Sequence, residues 1–225
     1  MAPPISFIIP VFNEAPRVAR LLEELRRRYP DSQLIVVDGG SADKTVHAAM
    51  PRCDQLLLSG PGRARQMNLG GRAARGDYLF FLHADTTPTA SAAQLADCLA
   101  AAPAWGFCPV RLSGTRRVFR LIERAMNWRS RLTRVATGDQ MLFLQRGLFE
   151  QTEGFDDIPL MEDVAYCKRL RRLAPPAVTG QPVVTSSRRW EERGVVRTVV
   201  TMWLLRLAFV LGVSPQRLHQ FYYGQ

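Results

Sequence analysis

Through its first half the chain alternates short apolar runs with segments patterned for helices. The runs "ISFIIP" (5–10), "QLIVVDGG" (33–40), "DQLLLS" (54–59) and "DYLFFLHAD" (77–85) read as strands. They are near-continuously apolar and rich in β-branched and aromatic residues, the pattern of strands covered on both faces. Between them, "EAPRVARLLEELRRRY" (14–29), "ADKTVHAAM" (42–50) and "GRARQMNLGGRAARG" (62–76) read as helices. Strands alternating with helices predict βαβ units, hence an α/β fold with a mainly parallel sheet flanked by helices. Farther on, "TTPTASAAQLADCLAAA" (86–102) predicts a helix with Pro88 near its first turn, and "WGFCPVRLS" (105–113) and "QMLFLQR" (140–146) predict further strands.

Two later stretches have a different character. Residues 116–135 place Val118, Leu121, Ile122, Ala125, Met126, Leu132 and Val135 at helical spacing with arginines between them, a basic amphipathic helix. Residues 194–213, "GVVRTVVTMWLLRLAFVLGV", have the length of a membrane span, but Arg197 and Arg206 interrupt it. An arginine at the bilayer centre is costly, so this stretch is expected to pack against the domain or lie at an interface.

Composition narrows the picture modestly. The 225 residues suit one domain: a first half (1–90), a second half (104–190) and a C-terminal helical segment (194–225). A net charge of +10 with a pI near 10.3 favours anionic partners. The four cysteines form no CxxC pair and no metal-ligand spacing with the three histidines, which argues against zinc and fits a reduced, cytoplasmic compartment. The N-terminus shows no charged leader or cleavage pattern and reads as a strand.

Ligands of open parallel α/β sheets gather at the carboxyl ends of the strands. The four exits, "PVFNE", "DGGSADKT", "SGPGRARQMN" and "HADTTP", align Glu14, Asp38, Arg63, Arg65, Asn68 and Asp85 along one edge. A dinucleotide fold would need glycines in the first turn, and "VFNEAP" has none; neither lysine sits in a P-loop. NAD and nucleoside triphosphatase chemistry are therefore disfavoured.

In order along the chain, "FIIPVFNEA", "IVVDGGSADKT", "GRARQMNLGGRAARGDYLFFLHADT", "TGDQMLFLQRGLFEQTEGFDDIPLMEDVAYCKRLRR" and "VVTSSRRWEERG" resemble the family 2 glycosyltransferases of GT-A fold. The sequence looks most similar to a bacterial subgroup associated with radical-SAM genes and arsenosugar biosynthesis. The resemblance implies a metal-dependent, inverting transfer of sugar from a nucleoside-diphosphate donor, UDP being the family default, to an acceptor hydroxyl. The family's aspartate-containing strand exit falls on His83, Ala84 and Asp85, implying that Asp85, with His83 in the place of a second carboxylate, holds a divalent cation, manganese or magnesium, against the diphosphate. Pro10, Glu14, Asp38, Gly39, Arg63, Arg65, Asn68 and Ala84 match donor-nucleotide positions. Glu162 and Asp163 match the acidic pair that supplies the general base, with Asp163 the expected base. Asp139 and Gln140 match an acceptor-pocket motif. Arg189 and Trp190 fall on a signature of processive relatives, although Ser186 replaces its glutamine, which speaks against polymer synthesis.

Two rivals are weighed against this reading. A sugar nucleotidyltransferase would want a glycine-rich turn after the first strand, and a non-catalytic basic module would bind anionic membrane through residues 116–135. No nucleic-acid motif is present. The arginine clusters and apolar C-terminal stretch suit peripheral attachment to the inner face of the cytoplasmic membrane, where the acceptor would be lipid-linked.

Overall fold

The computed structural model describes residues 3–224. In chain order the elements are β1 (Ile5–Val11), α1 (Ala15–Arg28), β2 (Gln33–Asp38), α2 (Thr45–Ala49), β3 (Gln55–Leu58), α3 (Arg63–Ala73), β4 (Tyr78–Phe81), β5 (Thr86–Pro88), α4 (Ala92–Ala100), β6 (Trp105–Phe107) and β7 (Val110–Leu112). There follow α5 (Arg117–Thr133), β8 (Leu142–Gln145), α6 (Arg146–Gln151), α7 (Glu162–Leu173), β9 (Ala177–Val178), β10 (Val183–Thr185), α8 (Arg188–Arg193), α9 (Val195–Val210) and α10 (Pro215–Tyr223). Seven strands form the main sheet in the order β3-β2-β1-β4-β8-β6-β9, and a three-stranded sheet runs β5-β10-β7. Pairing is parallel from β3 through β4, while β8 runs antiparallel to both β4 and β6. The α/β expectation holds.

The apolar strands are covered on both faces because successive side chains point to opposite sides. Phe7, Ile9, Val11, Leu34, Val36, Phe80 and Leu82 join one core layer with Val18, Leu21, Leu22 and Leu25 of α1 and Leu95 and Leu99 of α4. Ile8, Ile35, Val37, Leu79 and Phe81 join the opposite layer with α3, α7 and, from the C-terminal helices, Leu205, Leu218 and Tyr222. Helix α3 presses close to the sheet at Gly70, where a Cβ would come within 2.5 Å of Ile8 Cγ2, and to α6 at Gly71, where one would come within 2.5 Å of Phe149 Cζ. This contact fixes the start of α3, and with it Arg63, at the carboxyl edge of the sheet.

Two boundaries differ from the sequence pattern. Pro88 does not open a helix. It closes β5, and α4 starts at Ala92 behind a capping box in which Ser91 Oγ accepts from Gln94 N and Gln94 Oε1 accepts from Ser91 N. The stretch 105–113 is not one strand: it divides at Pro109 into β6 and β7, which belong to different sheets. The second sheet matters for function, because β5 follows Asp85 directly and β10 leads directly into the Ser-Ser-Arg-Arg-Trp stretch. Their pairing, continued by Ser186 N donating to Asp85 O at 3.1 Å, brings the two together.

Both patterned helices form. Helix α5 leaves Leu121, Trp128 and Leu132 exposed, and α9 leaves Val196, Val200, Trp203, Leu204, Leu207 and Val210 exposed while burying Leu205. No helix among the described residues is long and apolar enough to cross a membrane.

Candidate active site

The loops after β1 and β2 are clipped together by side chains. Asn13 Oδ1 accepts from Ala42 N at 2.9 Å, and Glu14 N donates to Thr45 Oγ1 at 2.8 Å. Asp38 is buried, and its carboxylate accepts from Gly40 N, Ser41 N and Ser41 Oγ, so it shapes its own turn. Beneath it Gln66, a residue the sequence reading passed over, donates to the carbonyls of both Val11 and Val37 at 2.8 Å. Gly39 makes room for that amide: a Cβ there would lie 2.9 Å from Gln66 Nε2. Pro10 and Ala84 are buried, and Ala84 joins the core layer under α1. Glu14 pairs with Arg17 at 2.6 Å at the start of α1.

The residues expected from α3 separate into different roles. Arg63 reaches across to the buried Glu162 at 3.3 Å. Arg65 turns outward to an exposed pair with Asp157 at 2.9 Å. Asn68 is buried, its amide donating to Phe155 O at 2.7 Å and accepting from Phe155 N at 2.8 Å. With both ends engaged on backbone, Asn68 braces the segment that carries Glu162 and Asp163.

Helix α7 opens behind Met161, held at φ 68°, a left-handed conformation uncommon for a non-glycine residue. This turn presents the two acids side by side. Glu162 is committed to Arg63, whereas Asp163 accepts from Gly138 N at 2.6 Å through one oxygen and from its neighbour Val164 N at 2.7 Å through the other. Burial and the adjacent Glu162 carboxylate raise the Asp163 pKa above the ordinary carboxylate value, against the two backbone donors and Arg63.

Gly138 links Asp163 to the strand exit. His83 lies directly against it: a Cβ on Gly138 would approach His83 Cε1 to 2.2 Å. His83 Nδ1 lies 3.9 Å from Asp139 Oδ1. Burial, with Arg63 and Arg189 nearby, pushes the imidazole well below its usual value, so it is neutral at pH 7. Asp139 is pushed up to about 6, first by burial and then by the charge of Asp85, although water at the open 45% of its side chain screens part of that rise. Asp85 itself is exposed and receives Thr86 Oγ1 at 3.2 Å. It stands before a strand, so it caps no helix.

Gln140 and Trp190 are held by contacts within the fold. Gln140 is fully buried and its carbonyl oxygen accepts from Ser130 Oγ at 2.7 Å and Thr137 N at 3.1 Å, making it scaffolding beneath Asp139. Trp190, half-buried, packs on the small cluster of Leu112, Phe119 and Ile122, and Arg189 stands over the ring of Tyr222 at 5.6 Å. The site also contains a residue that sequence reasoning missed. Arg129 of α5 is within electrostatic reach of Asp163 and Asp139 and has a buried Nε without a partner among the described residues. Arg129 is hidden among the many arginines of an amphipathic helix, and nothing local in the sequence marks it.

The carboxyl groups give a direct expectation for stability. Asp139 and Asp163 bind protons more tightly in the folded chain than at the ordinary aspartate value of 3.8. Their contribution to stability is complete below that value and is lost as pH rises, for Asp139 through about 6. Denaturant midpoints measured in EDTA from pH 4.5 to 7 are expected to decline less in Asp139→Asn than in wild type. Equal slopes would contradict the assignment.

An acidic strand exit, a second acid pair on a helix start and flanking arginines thus lie together at one edge of a mainly parallel sheet. Residues 6–148 match the model of glycosyl transferase family 2, more than half of the chain, and the protein belongs to that family. It is 32% identical over 97 residues to a dolichyl-phosphate beta-glucosyltransferase of Trichomonas vaginalis, a match covering 36% of this chain and 30% of that one. It is 36% identical over 92 residues to a PGL/p-HBAD biosynthesis glycosyltransferase of Mycobacterium bovis, covering 37% of this chain and 36% of the relative. The matched stretch thus spans about a third of each curated relative. Among solved structures, a Pyrobaculum calidifontis mannosyltransferase in complex with GDP-Man and Mn2+ superposes with a TM-score of 0.65 at 22% identity, over 92% of this chain and 61% of that one. Staphylococcus aureus TarS with UDP gives 0.60 at 14% identity, over 81% and 60%. These likenesses identify the fold.

Proposed function

We propose that the protein transfers a sugar, with inversion, from a nucleoside-diphosphate donor to an acceptor hydroxyl, using Asp163 as general base. The observation that carries this reading is the grouping of Asp139 with Asp85 and Asp163, and of a neutral His83 with Asp139, within electrostatic reach of Arg63 and Arg189. Asp163 has the attributes of a base: a pKa raised toward neutrality and a carboxylate oriented by two backbone donors. It would accept the acceptor's proton as that oxygen attacks the anomeric carbon and the bond to the diphosphate oxygen breaks. Arg63, held by Glu162, and Arg189 would bind the departing diphosphate as fixed positive charges.

A divalent cation fits the mutual approach of Asp85 and Asp139, two like charges that a cation would reconcile. Among the described residues no group of three or more His, Cys, Asp or Glu side chains is arranged to hold a metal. Asp85 would hold the ion, with Asp139 or His83 beside it. When bound, it would neutralise charge on the leaving diphosphate. The clipped loops after β1 and β2, which carry Glu14 and Asp38, would receive the base and ribose of the donor.

The acceptor is proposed to be lipid-linked, reached from an anionic headgroup surface by the basic α5 and the exposed apolar face of α9. A relative that acts on dolichyl phosphate supports this choice. The experiment for the donor reading is thermal unfolding with UDP, GDP, CDP or ADP, each with and without manganese. A ligand bound only by the native state raises the melting temperature. One diphosphate is expected to give a manganese-dependent rise that Asp85→Asn removes. No shift with any nucleotide would sink the transferase reading in this form.

A further inference from the structure

Arg189 follows closely on Ser186, whose N–H donates to Asp85 O at 3.1 Å, so the start of α8 is tied by backbone to the strand exit. The side chain needs a restraint of its own. Arg189 and Arg193 are both exposed, and neither makes an ion pair among the described residues. A free arginine samples many rotamers, and holding it in one direction costs conformational entropy. The acids of the same helix supply no restraint: Glu191 accepts from Ser187 Oγ at 2.8 Å, and Glu192 pairs with Arg188 at 3.9 Å.

An aromatic ring from the far end of the chain supplies it. Arg189 and Arg193, four residues apart on α8, both stand over the ring of Tyr222, each 5.6 Å from its centroid. Tyr222 is only 5% exposed and shares a core layer with Val164, Tyr166, Cys167 and Leu170 of α7. The ring is therefore a fixed platform, packed in the same layer as the helix that carries Glu162 and Asp163. Its hydroxyl is buried without a hydrogen-bond partner among the described residues, so what this position contributes is the ring and not the O–H. A guanidinium stacks through its face, while its N–H donors lie in its plane and point from its edge. Stacking thus fixes the direction of Arg189 and leaves its donors for a phosphate. Arg189 lies within electrostatic reach of His83 and Asp139, which puts it beside the transfer centre.

We infer that Tyr222 is a positioning residue for the transfer reaction: its ring holds Arg189, with Arg193 beside it, in the direction from which Arg189 meets the donor diphosphate. This rests on the role proposed above for Arg189. It requires no contact between Tyr222 and the donor, and it makes α10 a working part of the site. The C-terminal helices are fastened to the domain by the same kind of contact elsewhere, since Lys168 of α7 stands over Phe209 of α9 at 5.0 Å.

The test has two readouts on the full chain. The first needs no ligand: nitrogen relaxation of the Arg189 Nε–H, assigned by its absence from Arg189→Lys, reports whether the side chain is held. It is expected to be rigid in wild type and in Tyr222→Phe, and mobile in Tyr222→Leu. Should Tyr222→Leu fail to fold, phenylalanines bearing one, two or three ring fluorines at position 222 keep the shape while draining negative charge from the ring face, and mobility is expected to rise along that series. The second readout is affinity for UDP, GDP, CDP and ADP with manganese, from the rise in melting temperature with ligand concentration, beside the matching nucleosides. Diphosphate affinity is expected to fall about two- to tenfold when the ring is lost or fully fluorinated, because binding must then immobilise a free arginine. Tyr222→Phe should match wild type, and nucleoside affinity should not change. In an Arg189→Gln background the same changes at 222 are expected to add nothing. An Arg189 that is mobile in wild type, or indifferent to the ring, overturns the inference. So does a diphosphate affinity that stays level or rises as the ring weakens, or one that falls equally without Arg189. A rigid, ring-dependent Arg189 in a protein that answers to no nucleoside diphosphate sinks the donor reading and leaves the hold of Tyr222 on Arg189 established.

Discussion

Replacing Asp163 with asparagine is expected to lower turnover by ~10²–10⁴-fold while leaving the nucleotide-induced rise in melting temperature in place. The substitution keeps the side chain's shape but removes the group that can take a proton. The readout is nucleoside diphosphate released from the donor that thermal unfolding selects, with water or a membrane lipid extract as acceptor. Wild-type kcat/KM should fall as pH is lowered through the raised pKa of Asp163, because the base acts only when ionised. Glu162→Gln should behave differently: its partner is Arg63, so it should weaken diphosphate binding and alter KM more than the acidic limb. If Asp163→Asn retains wild-type turnover, the proton goes elsewhere and Asp139 becomes the next candidate.

Gly138→Ala is expected to destabilise the protein by about 1–3 kcal/mol and to cripple transfer. The new methyl would stand 2.2 Å from His83 Cε1, so either the ring or the loop must move. The same loop carries the N–H that donates to Asp163 and the Asp139 carboxylate beside His83, so a small displacement disturbs three groups together. A double substitution distinguishes this contact from general loop damage. In Gly138→Ala with His83→Ala the space is vacated, and the two changes should be less harmful to stability together than their sum. Additive losses would show that Gly138 matters for a reason other than the imidazole.

Much of this arrangement was legible along the chain, for identifiable reasons. The near-continuous apolar strands could face only two covered layers, so the α/β class followed from pattern. Their polar exits had to lie on one edge because parallel strands share a direction, which put Asp38, Arg63 and Asp85 in one neighbourhood. Pro88 misled because its fixed φ suits a first helical turn and an edge strand alike; pairing of β5 with β10 settled it. Asn68 and Gln140 looked like ligand-binding amides, and sequence cannot distinguish an amide facing substrate from one whose donors and acceptors are consumed by backbone.

By itself the sequence determined the layers of the fold, the edge at which the carboxylates emerge and the acidic pair at the head of α7. Tertiary structure alone decided which acid is free to act: Arg63 claims Glu162 across 99 residues of chain, and Gly138 orients Asp163. It also decided that His83 is neutral, that Arg129 lies within electrostatic reach of the acids, and that Tyr222 from the far end of the chain lines an arginine-rich cavity with α8 and α9. Local pattern records which residues are buried, because burial follows periodicity. Partners distant in sequence are chosen by packing, and charge and protonation follow from those partners.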